Sequence, residues 1–318
     1  MGTCEQLSSI KVVYCFCGCI FLDWLLFALL APAFMALNIV INKFLVTKRF
    51  KGFSSMIIYL NFVDLIFAGV VLVFVPVSFS FPYVVFAMLI GIMPVVGFWF
   101  YSKALMVEEA SRLTPLFQFI PPFVALMSVM FLGEILSAQQ YAGIALIILT
   151  SILISYKKSE TGHSLLSVFR VMVPFAAIIA IYTVLSKLLL GYLDYWSVFF
   201  WMMIGSWLSV LVLLLFSKPR NAFVKSVSHL GARTFFTTLA GEGSYILGTI
   251  FLLIASSLGY VSLVSALAGL QQFFVFVFMV LLSVFVPTIL KEDISRNVLT
   301  LKIFAISLMF VGTWLVTT

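Results

Sequence analysis

The apolar residues of this chain come in long unbroken runs, and its polar residues fall mainly between them. A helix that crosses a bilayer needs roughly 20 consecutive apolar residues, whereas a barrel strand needs about 10 in strict alternation. These runs do not alternate, so they predict helices. Ten spans follow: 24–46, 54–76, 82–103, 113–133, 137–156, 168–190, 194–216, 234–255, 262–287 and 299–317. The connections are short and none could hold a soluble domain. The expected fold class is an all-α integral membrane protein with ten transmembrane helices. Residues 1–23 form an N-terminal extension whose apolar stretch, 12–22, is too short to span. Lys11 ahead of it gives the outline of a signal peptide. No small-residue cleavage site and polar break follow, so an interfacial extension of the first span is the expectation.

Composition narrows the class further. The chain is 64% apolar and 9% charged, with 18 basic and 11 acidic residues among 318. So few charges could not keep a water-facing surface soluble, and so apolar a chain is not disordered. The net charge of +7 would suit nucleic acid only on a soluble basic surface, which is missing, so no nucleic-acid partner is expected. The four cysteines, Cys4, Cys15, Cys17 and Cys19, all lie in the extension. On a helix, successive members of the C-x-C-x-C set point to nearly opposite sides, which is poor geometry for one metal.

Basic residues concentrate on one side. Lys43, Lys48, Arg49, Lys51, Lys103, Arg112, Lys157, Lys158, Arg170, Lys218, Arg220, Lys225, Arg233, Lys291, Arg296 and Lys302 flank the odd-numbered connections. Only Lys11 and Lys187 fall on the other side. Short loops rich in Lys and Arg stay in the cytoplasm, so both termini are expected outside a cell membrane. In the longest connection, 217–233, Phe223, Val227 and Leu230 share a helical face opposite Lys225 and His229, so it is either a plain solvated loop or a short amphipathic helix on the headgroups.

The two halves echo each other in a constant order. Ala36, Asn38 and Lys43 correspond to Ala180, Tyr182 and Lys187. Gly97, Phe100, Ala104, Ser111, Leu116, Phe123 and Val124 correspond to Gly248, Phe251, Ala255, Ser262, Leu267, Phe274 and Val275. With five spans per repeat, the second copy enters the membrane from the opposite side. The domains are thus expected at 24–156 and 168–317, related as inverted repeats. Secondary transporters use that architecture and bind substrate near the midplane between the copies.

The stretch from Trp99 to Lys158 resembles the EamA-type repeat of the drug/metabolite transporter superfamily. It carries a small-residue helix end (Ser102, Ala104) and a polar hinge (Ala110, Ser111, Thr114). Pro121 and Pro122 follow in mid-span, then a helix-ending Gly133-Glu134 and Gly143 in the fifth helix. The second half echoes this with Gln272 where the family often has proline, and with Phe285-Val286-Pro287 in place of Gly-Glu. The resemblance covers about 24–317. It implies an exporter or exchanger of small metabolites, amino acids or nucleotide sugars, and it implies cytoplasmic termini, opposite to the charge count.

Polar residues inside spans are costly and so mark function. Asp64 lies mid-way along the second span and Glu242 mid-way along the eighth, where a carboxyl suits proton coupling or an amine on the substrate. Gly241 and Gly243 flank Glu242; they thin the helix for a cavity or for close packing. Asn38, Gln118, Tyr182, Gln271 and Gln272 lie at similar depth as candidate substrate contacts, or as bonds between helices. Trp99, Tyr101 and Tyr245 are candidate aromatic walls. Pro121 and Pro122 remove two backbone donors, so the helix must kink or unwind there, as a hinge or a static bend. Lys43 and Lys187 are expected to snorkel to opposite interfaces, and Glu108, Glu109 and Glu134 to cap helix ends.

No nucleophile elbow, phosphate loop or metal-spaced set is present, and His163 and His229 lie in connecting loops. No enzyme activity, cofactor or metal is expected; the expected partners are a small-molecule substrate and the lipid bilayer. The sequence supports an alternating-access transporter of small metabolites such as amino acids. Two other classes remain open: a translocase for a lipid carrier or lipid-linked sugar, and a non-transporting receptor or assembly protein.

One consequence of the charge count is directly measurable. In a chain whose native cysteines are serine, Asn221→Cys should react with a membrane-impermeant maleimide only from the cytoplasmic side. Labelling of intact cells from outside would reverse the assignment.

Overall fold

The long apolar runs do become helices, because in lipid each backbone N–H and C=O must find its partner within the segment. The computed structural model describes residues 20–50, 53–107, 117, 119–155, 165–227, 230–285 and 296–317. The four cysteines, Gln118, His163 and His229 lie outside the described residues.

The first helices are α1 (Ile20–Lys48), α2 (Phe53–Phe74) and α3 (Tyr83–Val107). Next come α4 (Ile120–Met127, continued by a π turn over Ser128–Leu132), α5 (Ala138–Ser155), α6 (Leu165–Leu189) and α7 (Tyr195–Leu215). The chain ends with α8 (Ser217–Val227), α9 (Ala232–Leu258), α10 (Val261–Ala268), α11 (Gln271–Phe285) and α12 (Arg296–Thr317). Among the described residues, seven stretches are long and apolar enough to cross a membrane: 24–45, 55–74, 83–101, 172–189, 195–215, 232–258 and 261–282. Shorter apolar helices at Ile120–Leu132, Ala138–Thr150 and Ile303–Val316 occupy the places of the fourth, fifth and tenth expected spans. Of the two alternatives for 217–233 the helix forms, as α8, whose Phe223 stacks on Phe62 of α2 with ring centres 5.7 Å apart.

Local chemistry explains where helices begin and end. The Asp194 carboxylate accepts from the backbone N–H of Trp196 and Ser197, each at 3.0 Å, and so caps the first turn of α7. Gly133 closes α4 with φ of 65°, a left-handed cap that glycine adopts without a Cβ clash. Pro121 and Pro122 stand in the first turn of α4, where missing N–H groups cost nothing. Just ahead of the prolines, Phe117 and Phe119 have 3₁₀ geometry. The ninth expected span is likewise split, between α10 and α11, by a turn at Gly269-Leu270.

Packing is dominated by close crossings at small residues. A Cβ placed on Gly91 of α3 would stand 1.9 Å from the Met202 carbonyl oxygen, and one on Gly205 of α7 would stand 1.9 Å from that of Met88. The backbones of α3 and α7 therefore touch. Gly143 of α5 and Gly312 of α12 meet in the same reciprocal way, at 2.8 and 3.1 Å from each other's carbonyl oxygens. Gly248 of α9 lets α1 approach until Met35 Cγ and the Ala31 carbonyl would lie 2.8 and 3.0 Å from a Cβ. Gly97 of α3 meets Ile179 of α6 at 3.2 Å. Large apolar side chains such as Val73, Phe74 and Phe310 point outward, a surface suited to acyl chains.

Adding one methyl at the α3–α7 crossing must push two backbones apart. Gly91→Ala and Gly205→Ala should each destabilise the fold by about 1–3 kcal/mol, read as a lower unfolding temperature in detergent. Gly69→Ala, with nothing within 4 Å, should leave it unchanged. Wild-type unfolding of Gly91→Ala would contradict the crossing.

Candidate functional site

The crossing of α1 and α9 determines which polar groups meet at its centre. Gly241 presents no side chain, so Ile41 and the Asn38 amide of α1 come close to its Cα; a Cβ there would be 2.9 Å from Ile41 Cγ2. Asn38 Nδ2 donates to the Gly241 carbonyl at 2.9 Å and to Glu242 Oε1 at 3.1 Å. Asn38 and Glu242 are both buried. Asn42, one helical turn further along α1, donates from Nδ2 to Asn38 Oδ1 at 2.9 Å, and its side chain also bonds Glu242.

These bonds fix the amide orientations. The Gly241 carbonyl can only accept, so Asn38 must turn Nδ2 toward it. Asn38 Oδ1 then faces Asn42 and must receive an N–H. Both amide nitrogens thus point into the cluster, and Asn42 Oδ1 is left buried without a partner.

The α2 helix supplies the second carboxyl. Asp64 stands next to the Glu242 carboxyl. Asp64 Oδ1 is buried without a hydrogen-bond partner. Tyr245, one turn along α9, lies beside both carboxyls, and Tyr182 of α6 lies beside Tyr245. The structure therefore brings Asn38, Asp64, Tyr182, Glu242 and Tyr245 into one neighbourhood on α1, α2, α6 and α9.

Other candidates lie elsewhere. Trp99 is 51% exposed on the outer side of α3, where its ring stands edge-on to Phe100. Gln271 and Gln272 open α11; Gln272 is buried. An apolar recess of about 250 Å³ lies between α1 and α11, lined by Leu37, Val40, Phe278, Leu281 and Leu282. Among the described residues, no group of three or more His, Cys, Asp or Glu could hold a metal ion.

Asn42 and the partners of Glu134 and Lys187 come from the fold and not from the sequence. Asn42 lies one turn from Asn38, and that spacing alone could have paired them. Glu134 is 5% exposed and accepts from the N–H groups of Val261 and Ser262 at 2.6 and 3.1 Å and from the Ser262 hydroxyl. It therefore caps the first turn of α10, far along the chain. Lys187 Nζ donates to the carbonyls of Ser256 and, at 2.9 Å, Gly259, at the end of α9. The break between α9 and α10 thus has its bare amides met by an anion and its bare carbonyls by a cation.

Comparison with known proteins agrees with this architecture. A solved crystal structure shares 18% identity with the chain and superposes with a TM-score of 0.69, over 91% of this chain and 94% of its own. It shows a shared fold. A comparison with curated proteins gives no significant match. Residues 22–156 match the EamA-like transporter family, so this part of the chain is similar to that family.

Proposed function

We propose that the chain is a secondary transporter that moves small metabolites, such as amino acids, by alternating access between two inverted halves, 24–156 and 168–317. The observation that carries this reading is the buried polar cluster in which Asn38 and Asp64 from the first half meet Glu242 from the second. Such a contact in an apolar slab is costly unless it is used.

The helix pairings support the two-fold relation. Gly97 and Gly248, which correspond in the two halves, both lie at crossings between halves: α3 on α6 and α1 on α9. The helices α4 and α11 begin at Ile120 and Gln271, which also correspond. Gly143 and Gly312 face each other across α5 and α12, as expected for elements at a pseudo-two-fold axis.

The same correspondence places Gly91 of α3 opposite Glu242 of α9. The first copy uses this position for a backbone contact with α7, and the second uses it for a carboxyl that meets Asp64 of α2. Alternating access would open α3–α7 and α2–α9 in turn. Asn38, Tyr182, Glu242 and Tyr245 would contact substrate, with Asp64 and Glu242 as the proton-coupling pair and Pro121 and Pro122 as a hinge. A cell membrane is the proposed location. Translocation of a lipid-linked substrate is the second reading, favoured by the apolar recess between α1 and α11.

Flux into proteoliposomes tests the first reading. Wild-type protein should carry at least one amino acid, and Asn38→Ala should lower that flux by about tenfold, the loss of roughly one buried hydrogen bond. Glu242→Gln should abolish stimulation by a pH gradient while leaving counterflow. Absence of flux for every metabolite class would overturn the transport reading, and gradient stimulation retained in both Glu242→Gln and Asp64→Asn would remove proton coupling.

A further inference from the structure

Positive charge collects around α8, on elements that carry no negative charge of their own. Lys218 and Arg220 are exposed on α8, Arg233 is exposed at the start of α9, and Arg49 is exposed at the corner between α1 and α2. Leu230, which links α8 to α9, packs into that corner with Leu45, Phe50 and Met56. The corner and the helix are therefore one surface. No Asp or Glu occurs from residue 24 to 63 or from 195 to 241. The helices packed against α8 are α2 and α7. Their one acid, Asp64, is turned toward Glu242.

The height of α8 relative to the bilayer decides what can meet this charge. Phe223 stacks on Phe62 with the ring planes 15° apart. Phe62 lies about 14 Å along α2 from its start, at roughly 1.5 Å per residue, and inside the apolar stretch 55–74. So α8 is fastened to the flank of α2 and does not hang in water beyond its end. Leu215, Phe216, Val224 and Phe236 are exposed around it, and grouped apolar surface of this kind marks a contact with something apolar. Basic side chains at this height reach to the headgroup level. An amphipathic helix there binds by apolar contact together with attraction to anionic lipid.

We propose that α8 and its flanks form a docking surface for the anionic headgroup of a bilayer phospholipid. Lys218, Arg220, Arg233 and Arg49 face its phosphate, and the acyl chains cover Leu215, Phe216 and Phe236. Free phosphate would feel the same charges and gain nothing from the apolar rim, which is why a lipid is the occupant. The surface lies apart from the Asn38–Glu242 cluster, and it needs only that the chain sits in a membrane, whether or not it transports.

Titration of the full chain in a neutral maltoside detergent tests the proposal. The native cysteines are replaced by serine, and a nitrobenzoxadiazole dye is placed on Asn221→Cys, an exposed position of α8. The probe is dihexanoylphosphatidylglycerol; dihexanoylphosphatidylcholine and inorganic phosphate are the controls. Phosphatidylglycerol should give a saturable blue shift, and the controls should not. The variant Lys218→Gln/Arg220→Gln/Arg233→Gln should bind about fivefold more weakly for each charge removed. Lys157→Gln/Lys158→Gln/Arg170→Gln loses the same net charge around the α5–α6 connection and should bind as the parent does. Raising the salt concentration should weaken binding to the parent chain, which tests the charge even where the first variant does not fold. No saturable response to phosphatidylglycerol, an equal response to either control, an equal loss in both triple variants, or binding indifferent to salt would overturn the surface.

Discussion

In a bilayer, helices gain little from hiding apolar surface, because lipid tails are as apolar as leucine; what holds them together is close contact and the few polar bonds it brings into range. Here that contact is made where side chains are absent. Gly91 and Gly205 put the backbones of α3 and α7 against each other, Gly143 and Gly312 do the same for α5 and α12, and Gly248 seats α1 on α9. The candidate site depends on the last of these. Only because α1 lies so near α9 can the short Asn38 side chain reach both the Gly241 carbonyl and Glu242.

The site is a local imbalance within that packing. Asn38, Asn42, Asp64 and Glu242 bring many acceptors and few donors into a layer with no water to make up the difference. Two buried oxygens, Asn42 Oδ1 and Asp64 Oδ1, go unbonded. The break between α9 and α10 is the contrasting case: Glu134 meets the bare amides, Lys187 meets the bare carbonyls, and the charges are used up locally. Both places bring the two halves of the chain together. The first is left incomplete and the second is complete, which is the physical reason for assigning binding to one and architecture to the other.

Much of this was legible in the sequence, because a bilayer imposes a simple rule. Uninterrupted apolar runs give the helices, and Asp64 and Glu242 stand out because carboxyls in such runs are rare. The breaks were harder to read. The run over 262–287 shows no sign that Gly269-Leu270 splits it, since isolated glycines are common in membrane helices. The role of Glu134 was out of reach because its partner, the start of α10, lies far along the chain and only folding brings the two together. Trp99 was chosen for its type, and type does not reveal which side of a helix faces outward. Asn42 sits near the end of the first span, where a polar residue needs no explanation and so carries no signal.

The central claim is that α2 must part from α9, around the Asp64–Glu242 contact, for transport to occur. Phe67 of α2 lies 3.2 Å from the position of a Cβ on Gly243 of α9, so a cysteine at each can be bridged by a short bifunctional methanethiosulfonate. In a chain whose native cysteines are serine, the account predicts that bridging Phe67→Cys to Gly243→Cys stops flux into proteoliposomes and that reduction restores it. Undiminished flux through the bridged protein would contradict it.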